Sequence, residues 1–218
     1  MSQKLKIFIA GASGYTGLRL LPLLKNHTVY AHLRPESKNF ETKKSLLENS
    51  GTIVLAHDLS YTENFPLKDC HVLVSLIGTT RAQFDAHTSY ETADYGANIS
   101  LMELAKKFKI PRFVLLSSVG ADKGMGPYLK VKKKTEEALM QSGLDYTILR
   151  PSFFVGPGRR AAQLLQPFFS IWSFFSKKSA LRYQAISIET LAQILLKIIE
   201  DNQKYSRCIL EGTSLLNV

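Results

Sequence analysis

Gly11-Ala12-Ser13-Gly14-Tyr15-Thr16-Gly17 stands between an apolar run of strand length, Leu5-Lys6-Ile7-Phe8-Ile9-Ala10, and a stretch from Leu18 to Lys25 that reads as a helix. A strand that turns sharply into a helix on glycines presents free backbone N–H groups and the positive end of the helix dipole. Together they make an anion site suited to a pyrophosphate. Gly11 permits the turn, Gly14 lets phosphates approach the backbone, and Gly17 lets the helix pack closely on the strand. Ser13, Tyr15 and Thr16 share the turn and are candidate cofactor contacts. The spacing is G-x-x-G-x-x-G, not G-x-G-x-x-G. Alone the pattern is weak; between a strand and a helix at the start of an α/β chain it gains weight. An ordinary βα turn that binds nothing is the competing reading.

Outward from this turn, strands and helices alternate. Strands are expected at Leu5–Ala10, Thr28–Leu33, Thr52–Ala56, His71–Ile77, Arg112–Ser117 and Tyr146–Arg150, with a last one near Cys208–Glu211. Helices are expected at Thr16–Lys25, Glu41–Glu48, roughly Ala86–Phe108, Pro127–Gln141 and Ile188–Glu200. The fourth strand is almost wholly apolar, as a central parallel strand should be. The fold class is therefore α/β, a doubly wound, mostly parallel sheet covered on both faces. With 218 residues, residues 1–218 make a single domain, and residues 152–187 form a substrate-side or lid segment.

Hydrophobic residues are 45% and charged residues 21% of the chain, which excludes a disordered protein. No apolar run is long enough to span a bilayer. Met1-Ser2-Gln3-Lys4 leads straight into the first strand, so no signal peptide is expected. Cys70 and Cys208 have neither metal-like nor redox-like spacing, and the five histidines form no ligand pattern. No metal site and a cytoplasmic location are the resulting expectations. The net charge of +10 favours acidic partners such as phosphorylated cofactors. Much of it lies in clusters at Lys106, Lys107, Lys109 and Arg112, at Lys130 to Lys134, and at Lys177, Lys178 and Arg182. Each reads best as a solvated helix face. No nucleic-acid module is visible, and no nucleic-acid partner is expected.

The carboxyl ends of the strands carry the candidate ligand contacts. An NAD-selective site places an acid after the second strand to accept from the ribose 2′-OH. Here Leu33-Arg34 is followed by Pro35, with no acid until Glu36 and with Lys38 beyond. A guanidinium at that point can hold a 2′-phosphate, so NADP(H) is favoured over NAD(H); an exposed loop arginine is the alternative. After the third strand, Asp58 is placed to accept from an adenine amino group, with Leu59 against the ring. Capping a turn is the commoner role for such an Asp. After the fourth strand, Gly78 lets the backbone pass over the cofactor, and Thr79 and Thr80 offer hydroxyls to ribose or phosphate.

The reacting end lies further on. The fifth strand ends in Ser117-Ser118, and Gly126-Pro127-Tyr128-Leu129-Lys130-Val131-Lys132 opens a helix with Pro127 at its first position. Tyr128 and Lys132, four apart, share one helix face. A tyrosine hydroxyl can pass a proton to or from a substrate oxygen while hydride moves at a nicotinamide. A lysine ammonium can lower the tyrosine pKa and bind the nicotinamide ribose, and a serine hydroxyl can orient a carbonyl. Lowering a tyrosine pKa from about 10 to about 7 takes roughly 4 kcal/mol. A cation at about 5 Å in an effective dielectric of about 20 supplies roughly 3 kcal/mol of it. Tyr-x-x-x-Lys also arises by chance in a lysine-rich segment, so the motif gains its weight from the glycine turn and the strand-end serines.

With these residues assembled, the chain resembles the short-chain dehydrogenase/reductases of the atypical, NAD(P)-binding kind. Within that superfamily it is most similar to the Tat-interacting-protein-like oxidoreductases. The resemblance rests on Gly11 to Gly17, Gly78-Thr79-Thr80-Arg81, Leu115 to Lys123, Tyr128 to Lys132 and Leu149-Arg150-Pro151, and extends to about Gly158. It implies a Rossmann-like fold and NADPH binding. It also implies a site of Ser118 (Ser117 is the alternate), Tyr128 and Lys132, the last two doubling as cofactor contacts. Pro151 and Phe153, after the sixth strand, come near the nicotinamide carboxamide. Arg150 either joins them or braces the strand ends. Asn98 is a candidate for the asparagine that the superfamily often carries on its long fourth helix.

Leu164 to Phe175 is apolar and aromatic apart from a narrow stripe of Gln166, Ser170 and Ser173, and basic pairs flank it. A wall over an apolar substrate pocket, a homodimer or protein interface, and an interfacial membrane contact through residues 164–178 are the readings, beside plain core burial. The expected function is an NADP(H)-dependent oxidoreductase acting on a carbonyl or alcohol group of a small apolar substrate. An NADPH-binding regulator with a protein partner is one rival. A nucleotide-sugar epimerase-like enzyme is the other, with little carboxyl-terminal length for a sugar-nucleotide domain.

Overall fold

In the computed structural model the structure describes residues 3–59, 65–78, 90–152, 154–157, 185–201 and 203–218. Seven parallel strands form one sheet: β1 (Lys6–Ala10), β2 (Thr28–His32), β3 (Ile53–Leu55), β4 (Val72–Ser75), β5 (Arg112–Leu116), β6 (Asp145–Arg150) and, later in the chain, β9 (Cys208–Glu211). Their spatial order is β3-β2-β1-β4-β5-β6-β9, a Rossmann-like arrangement. The order reverses between β1 and β4, so a crevice opens beyond the carboxyl ends of these two strands.

Alternation along the strands builds two cores. Ile7, Ile9, Val114 and Leu116 face one side, where α1 (Gly17–Leu20), α2 (Phe40–Asn49) and α5 (Ile188–Glu200) cover them. Phe8, Ala10, Phe113 and Leu115 face the other, beneath α3 (Ala97–Lys107) and α4 (Gly126–Gln141). Strands buried on both faces need apolar residues throughout, which is why these runs were legible as strands. Ser187 caps α5 by accepting from the Thr190 N–H at 3.0 Å.

Several elements differ from expectation. The first helix is α-helical only over Gly17–Leu20 and tightens to a 3-10 turn at Leu21–Leu24, where Pro22 lacks the N–H that an α ladder needs. The long helix expected over Ala86–Phe108 is, in its described part, a π-helical segment at Tyr90–Gly96 followed by α3. A short parallel pair, β7 (Phe154–Val155) with β8 (Ile186–Ser187), and a terminal helix α6 (Thr213–Leu216) were not anticipated, being too short for a periodic signal. The expectations on Thr79, Thr80, Phe153 and the aromatic stretch Leu164 to Phe175 lie outside the described residues.

Candidate active site

The glycine turn meets its predicted geometry. The Gly14 N–H donates to the Gly11 carbonyl at 3.0 Å and closes the turn. Gly11 has φ +83°, and a Cβ there would lie 2.9 Å from the Leu76 backbone at the end of β4. A Cβ on Gly17 would lie 2.2 Å from the Ala12 carbonyl oxygen. Both glycines are thus required by close backbone contact, and the turn stands at the mouth of the crevice with Gly14 exposed and Ser13 half-buried. A strand-to-helix turn closed on glycines, with Gly14 exposed, suits a pyrophosphate. Thr16 is buried at the helix start. The Tyr15 hydroxyl donates to the Pro157 carbonyl at 3.1 Å, and the Arg19 guanidinium stacks 4.0 Å from the Tyr15 ring centre. That side chain fastens the turn to the loop after β7.

Along the β2 and β3 ends, Arg34, Lys38 and Asp58 are exposed and Leu59 is half-buried. Between them lies a residue that sequence reading passed over. His32 is buried, its Nε2 2.8 Å from the His57 carbonyl, with Arg34 and Asp58 near enough to act on its charge. Burial holds its imidazole below the ordinary histidine range. Across the crevice, Gly78 is exposed, and among the described residues nothing lies within 4 Å of where its Cβ would stand.

At the reacting end, α4 follows β5 and brings Tyr128 and Lys132 together: the Lys132 Nζ is 5.7 Å from the Tyr128 ring centre. Lys132 is 1% exposed. Its ammonium donates to the Ile77 carbonyl at 2.9 Å, just beyond β4, and lies 3.5 Å from the Asp94 carboxylate. Burial pushes this ammonium below the ordinary lysine range, and the Asp94 and Glu136 carboxylates oppose the shift. Tyr128 is half-buried, its ring 5.3 Å from that of Tyr90.

The two serines are now distinct. Ser117 is buried and its hydroxyl donates to Glu136, which is itself gripped by Arg150. Ser118 is half-buried, and its hydroxyl meets the Val119 carbonyl at 3.4 Å. The Val119 N–H donates to the Pro151 carbonyl at 2.9 Å, so the Ser118 and Pro151 loops lie side by side. Arg150 takes the bracing role: its side chain bonds Glu136 and Glu211. Asn98 is also structural, accepting from the Ser75 hydroxyl and donating to the Asp94 carbonyl, both at 2.7 Å.

Asp94 and Glu136, missed earlier, left a signal in the sequence. Asp94 precedes Asn98, Leu101 and Ala105 on one helical stripe, and Glu136 follows Lys132 on another; a carboxylate on a stripe of core residues demands a buried partner. No cluster of potential metal ligands occurs among the described residues. A cavity of about 280 Å³ lined by Leu24, His27 and Thr52 lies at the amino ends of the strands, away from the crevice.

Comparison with known proteins follows this geometry. The profile of a family described as NAD(P)H-binding matches residues 11–202. Protein FMP52, mitochondrial, of Candida albicans is 31% identical over 163 residues, 68% of this chain and 67% of that protein. Protein FMP52-1, mitochondrial, of Scheffersomyces stipitis is 29% identical over 160 residues, 72% of this chain and 71% of that protein. A putative NAD-dependent epimerase/dehydratase from Bacillus halodurans shares the fold at 23% identity with a TM-score of 0.67, covering 94% of this chain and 92% of its own. The mitochondrial designation of the curated relatives overturns the expected cytoplasmic location. That expectation leaned on unpaired cysteines, which mark a reducing environment and not the cytosol in particular.

Proposed function

The chain belongs to the NAD(P)H-binding family, with the Rossmann-like fold of an atypical short-chain dehydrogenase/reductase, and from that premise we propose that it is an NADP(H)-dependent oxidoreductase acting on a carbonyl or alcohol group of a small apolar substrate. The observation that carries this reading is the meeting of Tyr128 and Lys132 beside the outgoing end of β4, with Ser118 on the next strand end. When bound, the nicotinamide supplies or takes hydride. Tyr128 gives or takes the proton at the substrate oxygen, Ser118 donates to that oxygen, and Lys132 favours the phenolate by its charge. The glycine turn holds the pyrophosphate, and Arg34 receives the 2′-phosphate. Asp58 and Leu59 meet the adenine, and Gly78 and Pro151 border the ribose and nicotinamide.

The test is a screen of aldehydes and ketones with NADPH, followed by Tyr128→Phe on any substrate found. The expected result is turnover in the parent, lowered roughly 10²–10⁴-fold in the variant, with NADPH affinity kept. Parental turnover in Tyr128→Phe rejects the mechanism. The rival reading is an NADPH-binding regulator with a protein partner. Tight NADPH binding with no reduction across the screen decides for that reading.

A further inference from the structure

The most enclosed charges near the reacting end are not those of the proposed catalytic set alone. Asp94 is 0% exposed and sits in the π-helical segment Tyr90–Gly96. Such a segment widens one helical turn and is often found where a side chain must be aimed at a site. Here one chain of hydrogen bonds ties its backbone to the end of β4. Asn98, one turn later, donates to the Asp94 carbonyl, and Ser75 at the end of β4 donates to Asn98. The carboxylate so placed faces the Lys132 ammonium, whose other partner is the Ile77 carbonyl beyond the same strand. The chain of contacts runs from β4 through α3 and the π segment to α4 and back to β4, so the ammonium is held from two sides against one strand end.

We propose that Asp94 is the positioning residue of the reacting end: its carboxylate fixes the Lys132 ammonium against the Ile77 carbonyl and keeps it charged beneath Tyr128. This inference rests on the Ser118–Tyr128–Lys132 reading. An enclosed ammonium without a counter-ion gives up its proton, because burial disfavours the charged form. A neutral lysine cannot favour the Tyr128 phenolate. Among the described residues, the charged and titratable groups facing Lys132 are Asp94 from the π segment and Glu136 and Tyr128 from its own helix, with Tyr90 against Tyr128. Glu136 is committed to Arg150 and Ser117. Asp94 is therefore the partner that decides the lysine's state.

The experiment follows Tyr128 ionisation by tyrosinate absorbance in the whole protein. Each protein is compared with its own Tyr128→Phe counterpart, which isolates Tyr128 among the nine tyrosines. Asp94→Asn keeps the shape and removes the charge. It should raise the Tyr128 midpoint by about one to two pH units, the worth of a cation near 6 Å at an effective dielectric of about 20. Lys132→Met should give the same shift, and the double variant no more than either. A parental midpoint in Asp94→Asn beside a shifted one in Lys132→Met overturns the role of Asp94 alone. A parental midpoint in Lys132→Met overturns both the proposal and the Ser–Tyr–Lys reading. If Asp94→Asn does not fold, folding of the double variant supports the proposal, since only the unpaired lysine charge separates them. Failure of both to fold overturns it, because the two side chains then serve the core and not a position.

Discussion

Arg150 clasps Glu136 along one edge of its guanidinium: the Nε lies 3.0 and 3.1 Å from the two carboxylate oxygens, and Nη2 bonds the second of them. The Nη1 reaches Glu211 at 3.2 Å, and the Ser117 hydroxyl donates to the same Glu136 carboxylate. One nearly buried carboxylate thereby ties α4 to the ends of β5 and β6, and Arg150 extends the tie to β9. Breaking such a pair from one side leaves a charge without its partner, which costs about 3 kcal/mol or more. Glu136→Gln should lower stability by that order in chemical unfolding, while Glu136→Leu with Arg150→Met should recover part of the loss. Ser117→Ala should cost about 1 kcal/mol and leave turnover alone. Ser118→Ala should spare stability and lower turnover about 10²-fold, the worth of a donor to a developing oxyanion. Singles within about 0.5 kcal/mol of the parent would show that the clasp does not stabilise the fold.

Two glycines that look alike in sequence should behave oppositely. Gly17→Ala places a methyl 2.2 Å from a backbone oxygen that cannot move without the strand. It should destabilise by about 2 kcal/mol or more. Gly78→Ala meets nothing within 4 Å among the described residues. Its melting temperature should match the parent, with NADPH binding weakened about tenfold or more if the cofactor runs over that backbone. Calorimetric titration beside thermal unfolding separates the two effects; parental NADPH affinity in Gly78→Ala removes Gly78 from the binding surface.

The fold was legible because its signals are local and repeated. Apolar runs such as Phe113 to Leu116 need both faces covered, and the turn from Gly11 to Gly17 leaves little choice of topology. While the glycine turn and the strand-end serines gave the motif its weight, the closeness of Tyr128 and Lys132 was legible from helical spacing. The inward turn of Lys132 was not, since it depends on Asp94, which is far off in the chain and sits in a π turn that no period announces. The choice between Ser117 and Ser118 was closed to sequence for the same reason: Glu136 and Arg150 make it, and both lie on other elements. His32 escaped notice because a lone histidine at a strand end carries no pattern; only its burial marks it.

His32 gives the protein a pH-dependent stability of defined sign. Its folded pKa is lowered from an ordinary 6.5, first by burial, against the hydrogen bond to the His57 carbonyl. The unfolded chain takes up a proton on this residue as pH falls through about 6.5, and the native state does not. Unfolded molecules bind more protons in that window, so stability falls with acidification from about 6.5 down to the folded value. Urea midpoints should be lower at about pH 5.5 than at about pH 7.5, and His32→Gln, which keeps an N–H for the His57 carbonyl, should flatten the difference. An identical pH dependence in parent and variant would assign the effect to other groups.

Cofactor choice turns on the end of β2. Arg34 follows the last residues of that strand, is exposed, and its carbonyl accepts the Ser37 N–H at 3.1 Å, which closes a tight turn. Arg34 and Asp58 both lie near enough to His32 to act on its charge, so the two strand ends come together. No acid stands at this point to accept from a 2′-hydroxyl; Glu36 comes only after Pro35. A guanidinium here binds a 2′-phosphate by charge-assisted bonds and gains nothing from a hydroxyl. NADPH should therefore bind more tightly than NADH, by about tenfold or more, since one charge-assisted contact is worth roughly 1.5–3 kcal/mol. Arg34→Ala should remove most of that preference by weakening NADPH alone. Raised salt should narrow it in the parent, because the contact is exposed and screened. Lys38, exposed four residues on, is a second cation after the same strand, and Lys38→Ala should have a smaller effect of the same sign. Calorimetric titration of both nucleotides against the three proteins decides the matter. Equal affinities in the parent would sink the NADP assignment, and an undiminished preference in Arg34→Ala would move its cause to another residue.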